Sequence, residues 1–297
     1  MQKKRIKKKT TTQKSSFFTR YSRQFYYWLT GIIVILALAF FFRTTLEMYY
    51  YILKGRFQKD NYSYSQLDTK RTEEERTKIR LVLRKYQGNA FGIDISRHQG
   101  EIKWDSLAEI TEGVPITFAF ATRGVLVQDP FFEPNWKKLK EKNILRGAYH
   151  YYDVNKNSSE QASNFLKTVR LEEGDLPPVL DVEDIPSEQS LDRLKKGLLT
   201  WLKIVEDAYQ IKPIIYSNDA YFIHHISDLD LSSYTIWTAN YNWIEKPLHK
   251  QWMFWQFSKH GIIKGINQNF VDLNVFNGDL SKLKEITLKN SETPTSN

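Results

Sequence analysis

Four carboxylates fall where short β-rich runs end: Asp94 in Gly92-Ile-Asp-Ile-Ser96, Asp181 and Glu183 in Pro178-Val-Leu-Asp-Val-Glu183, and Asp272 in Val271-Asp-Leu-Asn274. Asp181 and Glu183 are two residues apart on one predicted strand, so both side chains point to the same face, with Cα atoms about 6.5 to 7 Å apart. Val179, Leu180 and Val182 around them imply a strand covered on both sides. Carboxylates in such surroundings are costly unless neutralised or hydrogen-bonded, and grouped ones raise one another's pKa. That combination keeps a Glu protonated near neutrality as a general acid. It suits glycosidic cleavage, in which an acid protonates the leaving oxygen and a second carboxylate stabilises or attacks the sugar cation. It also suits substrate assistance, in which a carboxylate orients an N-acetyl group that acts as the internal nucleophile. The spacing does not choose between them.

The elements that must hold these groups begin at Phe91. Eight β-rich runs follow, at 91–96, 116–121, 145–152, 178–183, 213–217, 235–241, 253–258 and 271–276. Segments of helical length and pattern separate the earlier ones, at 104–111, 134–143, 158–172 and 191–209. In the last, Leu194, Leu198, Leu202 and Val205 share a face. Alternating strands and helices imply a parallel sheet with covered faces, and eight strands in about 200 residues favour a closed barrel. The short later connections make that barrel lopsided. In a closed barrel the first and last strands are neighbours, which brings Asp94 beside Asp272.

Composition narrows the alternatives. The chain has 297 residues, 43 Lys and Arg against 34 Asp and Glu, and no cysteine. Disulfides and thiolate sites are therefore excluded. Residues 1–24 hold nine basic and no acidic residues, so the +9 formal charge resides there and the remainder is neutral. A nucleic-acid-binding domain needs its basic surface on the folded domain and is disfavoured. No glycine-rich phosphate loop is present, and no cofactor is implied. The histidines, at 98, 150, 224, 225, 249 and 260, are scattered without metal-ligand spacing, so no metal site is expected.

Behind the basic segment, Phe25 to Phe42 is eighteen residues without a charge, flanked by Arg23 and Arg43. At about 1.5 Å per residue this predicts one transmembrane helix in contact with the lipid bilayer. The charge asymmetry predicts a cytoplasmic N-terminus and an exported remainder. A cleaved signal peptide competes, but Ala37-Leu38-Ala39 is followed by three phenylalanines, a poor cleavage context. The expected organisation is a basic tail over 1–24, the span over 25–42, a juxtamembrane connector over 43–90, the barrel over 91–280 and a C-terminal tail over 281–297.

From Phe91 to Phe276 the chain resembles the family-25 glycoside hydrolases, the lysozyme-type N-acetylmuramidases. The resemblance rests on motifs in order: Phe91-Gly-Ile-Asp-Ile-Ser-Arg-His-Gln-Gly100 with Ile102-Lys-Trp104, Gly147-Ala-Tyr-His-Tyr151, Pro178-Val-Leu-Asp-Val-Glu183, Pro213-Ile-Ile-Tyr-Ser217, Ile236-Trp-Thr-Ala-Asn-Tyr241, Trp255-Gln-Phe-Ser258 and Val271-Asp-Leu-Asn-Val-Phe276. It implies a flattened (β/α)5β3 TIM-like barrel. It implies hydrolysis of the β-1,4 bond between N-acetylmuramic acid and N-acetylglucosamine in peptidoglycan glycan strands. On this resemblance Glu183 is the general acid, and Asp181 stabilises the cation or orients the acetamido group. Asp94 and Asp272 shape the site's charge. Tyr152, Trp237, Tyr241 and Gln256 line the glycan groove, and His150, a candidate beside them, reads more as a structural hydrogen bonder. One departure stands out. Where the family usually reads Lys-Ala-Thr-Glu-Gly, this chain has Phe120-Ala-Thr-Arg-Gly124. Arg123 thus reverses a charge at the cleft mouth and should alter which glycan or peptide substituents are accepted. A wall-binding or scaffold protein that has lost turnover, or a glycosidase for another N-acetylated glycan, are the competing expectations.

Overall fold

The computed structural model describes residues 15–41, 70–108, 116–241, 246–266 and 269–289. The chain divides into two compact units, Met1–Glu47 and Met48–Asn297.

Among the described residues the first unit contains one helix, α1 (Ser15–Phe41). Among the described residues no helix is long and apolar enough to cross a membrane. The expected span over 25–42, and with it the single-pass placement and bilayer contact, is therefore not supported. α1 starts ten residues ahead of that stretch and takes in Arg20 and Arg23. The large apolar side chains described on it, from Phe25 to Phe40, are exposed. Residues 1–14 of the expected basic tail, and 42–69 of the span and connector, lie outside the described residues.

The second unit opens with α2 (Glu73–Lys85), started by a capping box in which Thr72 Oγ1 accepts from Glu75 N and Glu75 accepts from Thr72 N. The connector does more than span a distance: Ile79 and Val82 pack into a cluster with Trp252, Trp255, Phe257 and Val275. Its four apolar residues, Ile79, Leu81, Val82 and Leu83, are bunched within five positions, and only Ile79 and Val82 are buried, so no amphipathic period shows and 69–85 reads as a stalk.

The barrel strands are β1 (Phe91–Ile95), β2 (Ile116–Arg123), β4 (Leu145–Tyr151), β5 (Val179–Asp181), β6 (Ile214–Asn218), β7 (Thr235–Ala239), β8 (Trp252–Gly261) and β9 (Val271–Phe276). A short β3 (Val127–Gln128) forms a hairpin with the end of β2. The order β1-β9-β8-β7-β6-β5-β4-β2 closes through the β1–β2 pairing, giving an eight-stranded closed barrel. The expected all-parallel sheet is corrected in one respect: β9 runs antiparallel to both β8 and β1. The connection from β8 to β9 is too short for a crossover helix, and a tight return reverses direction.

Inside the barrel, Ile116, Phe118, Val179, Ile214, Trp237, Phe254 and Phe276 form one core. Gly147 admits the Phe118 ring, since a Cβ there would lie 2.4 Å from it. Between the barrel and its helices lies a second core, to which α6 (Leu191–Tyr209) contributes Leu194, Leu198, Trp201, Leu202 and Val205. Ser190 caps α6 by accepting from Arg193 N, and Gln210, at φ 56°, ends it. The helices α3 (Trp104–Ala108), α4 (Phe132–Glu141), α5 (Ser158–Thr168) and α7 (Asp219–His225) complete the connections. The stretch expected as a tail from 281 starts inside α8 (Leu280–Glu285), whose Leu283 is fully buried in the inner core.

Candidate active site

Strand alternation builds the site. On β5, Val179 faces the inner core and Leu180 the outer one, so Asp181 faces in, Val182 out and Glu183 in again. On β1 and β9, Asp94 and Asp272 are register partners, as closure requires. Asp272 is the second residue of its strand and reaches the rim formed by the C-terminal ends of the parallel strands because β9 runs the other way. The four carboxylates line one cleft of about 250 Å³, together with Ser96, Arg97, His98, Phe120, Arg123, Tyr149, Tyr151, Tyr216, Trp237 and Gln256.

A hydrogen-bond chain fixes the Asp94 side. Gln256 Nε2 and Asn274 Nδ2 both donate to Asp94 Oδ2 at 2.8 Å, and Trp237 Nε1 donates to Asn274 Oδ1 at 2.9 Å. Gln256 Oε1 accepts from the hydroxyls of Tyr216, at 2.8 Å, and of Tyr241. With both lone pairs of its oxygen engaged, the amide of Gln256 has a fixed orientation, NH₂ toward the carboxylates.

All four carboxyls hold their protons more strongly than usual. Burial is the largest cause for Asp181, which lies well above the ordinary range, followed by the charges of Glu183 and Asp94. Burial also raises Glu183, against the opposing charge of Lys259. Asp94 is raised by burial despite the amide donors of Asn274 and Gln256, and Asp272 is pushed up to about 8 by burial and then by Asp94. Asp181 and Glu183 also interact by hydrogen bonding. Asp181 Oδ1 is buried without a hydrogen-bond partner among the described residues. A buried oxygen in that state is expensive and marks a place for a ligand group. The arrangement can deliver a proton from one carboxyl while a second, two residues away, receives or orients a polar substrate group.

Of the residues expected from the sequence, the cleft gathers Asp94, Asp181, Glu183, Asp272, Trp237, Gln256 and Arg123. Tyr241 joins at the rim through Gln256, with Lys259 Nζ 4.4 Å from its ring centroid. His150 and Tyr152 are not in the cleft. His150 lies fully buried in the outer layer, bonded to Thr122 Oγ1 at 2.7 Å and Gln161 Oε1 at 3.2 Å and stacked on Trp201. Tyr152 bonds Ser158 Oγ at 2.6 Å in the same layer. Their neighbours Tyr149 and Tyr151 line the cleft instead. The expectation for Tyr152 is thus one residue out of phase, which inverts its facing, while His150 has the structural hydrogen-bonding place expected of it. Asn274 also escaped the sequence reading, although its spacing of two from Asp272 was a usable signal. Tyr216 carried no such signal.

A model of the glycosyl hydrolases family 25 matches residues 93–266, more than half of the chain, a span that includes three of the four carboxylates, Asp94, Asp181 and Glu183. The chain belongs to this family. The protein YegX of Escherichia coli (strain K12) is 40% identical over 208 residues, covering 68% of this chain and 75% of YegX. Lysozyme M1 of Streptomyces globisporus is 27% identical over 207 residues, 65% of this chain and 69% of its own. Among solved structures, the bacterial lysozyme from Streptomyces coelicolor superposes with a TM-score of 0.62 at 25% identity, covering 68% of this chain and 98% of that one. The chain is thus a family-25 glycoside hydrolase.

Proposed function

We propose that this family-25 enzyme is an exported muramidase that hydrolyses the β-1,4 bond between N-acetylmuramic acid and N-acetylglucosamine in peptidoglycan. The observation that carries the reading is the buried, unpartnered Asp181 Oδ1 beside Glu183. A hydrolase for N-acetylated sugars needs an acceptor for the acetamido N–H at that place, and the lysozyme relatives have names in keeping with it.

The mechanism follows from proton bookkeeping. Burial above all, with the neighbouring carboxylate charges, favours the protonated forms of Asp181 and Glu183. An acetamido N–H that docks on Asp181 favours its ionised form, and the proton shared with Glu183 settles on Glu183. Glu183 then donates it to the glycosidic oxygen as the C1–O bond breaks, and the acetamido carbonyl oxygen bonds to C1. Water adds to C1 in the second step, releasing its proton to Glu183 as the acetamido oxygen departs. Both proton transfers are then carried by one residue. Asp94, fixed by Gln256, faces the developing positive charge, while Asp272 beside it keeps its proton up to about pH 8.

The test is digestion of purified sacculi by the full chain and by Glu183→Gln, with mass spectra of the products. Reducing-end N-acetylmuramic acid from the wild type and loss of at least about a thousand-fold in the variant are expected. Reducing-end N-acetylglucosamine, or equal activity in the two proteins, would overturn the reading.

A further inference from the structure

Arg123 belongs to the cleft only because β2 is irregular. Phe118 faces the inner core while Ala119 and Ala121 face the outer one, so strict alternation would send Arg123 outward. The pairing with β4 shifts register between Phe120 and Thr122. Ala121 and Thr122 therefore both face outward, Thr122 bonding the buried His150, and Arg123 turns into the cleft. A bulge that re-aims one side chain at the mouth of a site is a recurring device.

The guanidinium it delivers is held but not neutralised. Its carbon lies 4.7 Å from the ring centroid of Tyr151, and the Tyr151 hydroxyl donates to Asp184 Oδ2 at 3.0 Å, so the platform beneath it is fixed. No ion pair joins Arg123 to a carboxylate among the described residues. A stacked guanidinium keeps its N–H edge available in a plane set by the ring.

Register gives this cation an address. Asp181 is the partner of Tyr151 across β5 and β4, and Tyr151 is the partner of Arg123 across β4 and β2. The three form one row, with Arg123 two strand spacings, about 10 Å, from Asp181. On an N-acetylmuramic acid ring whose C2 acetamido group is held by Asp181, the neighbouring carbon C3 carries the lactyl ether, which can extend along that row.

We propose that Arg123 forms a carboxylate-binding subsite that takes the lactyl carboxylate of N-acetylmuramic acid, or the first carbonyl group that replaces it when a stem peptide is attached. This rests on the muramidase reading. A single guanidinium suits a planar monoanion through its paired N–H donors. The acidic cleft around it disfavours groups of higher negative charge.

The test uses glycan chains stripped of peptide, whose lactyl carboxylates are free, and the same chains methyl-esterified. For the wild-type full chain, KM on the ester should exceed KM on the free acid by roughly five-fold, the yield of an exposed pair near the top of its range. In Arg123→Gln that ratio should fall to about one, and in Arg123→Lys it should be partly restored. Higher salt should erode the wild-type preference. Persistence of the preference in Arg123→Gln, or no preference in the wild type, overturns the proposal. Binding of both chains by Glu183→Gln at equilibrium decides the same question without turnover. A failure of the muramidase reading would show separately, as no cleavage of either chain by the wild type.

Discussion

Gln256 reaches Asp94 over the intervening strand β9: its Nε2 donates to Asp94 Oδ2 at 2.8 Å while its Oε1 takes the hydroxyl of Tyr216 at the same distance. The amide cannot turn without breaking these bonds. Its NH₂ therefore stabilises negative charge on Asp94, next to the acid pair. Gln256→Leu should lower kcat/KM about ten- to a hundred-fold, the range for losing a hydrogen bond to a charged group, and should cost about 1–3 kcal/mol of stability because the buried Tyr216 hydroxyl loses its acceptor. Steady-state kinetics with a melting curve checks this; an unchanged kcat/KM would remove Gln256 from the account.

Asp272 makes the barrel lose stability as pH rises from about 4 to about 8. Folded, it keeps its proton up to about 8, because burial and Asp94 oppose its charge, whereas an exposed Asp ionises near 4. Its contribution to stability is full below about pH 4 and is lost as pH rises to about 8, since the unfolded chain releases a proton that the folded chain retains. Asp272→Asn should flatten that dependence, with its largest gain in Tm near pH 8. A parallel pair of Tm profiles for wild type and variant would refute the assignment.

Lys259 opposes the acids. It sits over the Tyr241 ring, and its charge favours the ionised forms of Glu183, Asp94 and Asp272. Removing it in Lys259→Met should raise those pKa values and move the alkaline limb of the kcat/KM profile to higher pH. A shift the other way, or none, argues that solvent already screens the ammonium from the site.

His150 and Tyr152 belong to the barrel's outer layer, so their removal should cost stability and not affinity. Burial pushes His150 down to about 4, leaving it neutral near pH 7 with both ring nitrogens engaged. His150→Leu leaves Thr122 and Gln161 short of a partner and should destabilise by about 1–3 kcal/mol, and Tyr152→Phe by about 1 kcal/mol. Urea unfolding measures the loss. A raised KM in either variant would place these side chains in the glycan groove after all.

The acid pair was legible because it is local. Two residues on one strand share a face whatever surrounds them, so Asp181 and Glu183 had to act together or not at all. The eight β-rich runs and the apolar stripe of α6 were legible for the same reason: each is a pattern of neighbours in sequence. The phase of β4 was not. Gly147-Ala-Tyr-His-Tyr-Tyr152 has aromatic residues on both faces, and nothing in the string says which face is inside. Gly147, opposite the Phe118 ring, sets that choice in three dimensions.

What the sequence determined by itself was the set of elements, the shared face of the acid pair and the adjacency of Asp94 to Asp272 once the barrel closes. Only the tertiary structure decided that β9 reverses, which lifts Asp272 to the same rim as the ends of the parallel strands. It also decided that a bulge at Ala121 and Thr122 turns Arg123 inward, and that Gln256 and Asn274 converge on one oxygen of Asp94. Side-chain alternation is carried by the local backbone and survives in any context. Strand direction, register and inward phase are set by hydrogen bonds between residues far apart in the chain, and those partners exist only when the barrel is closed.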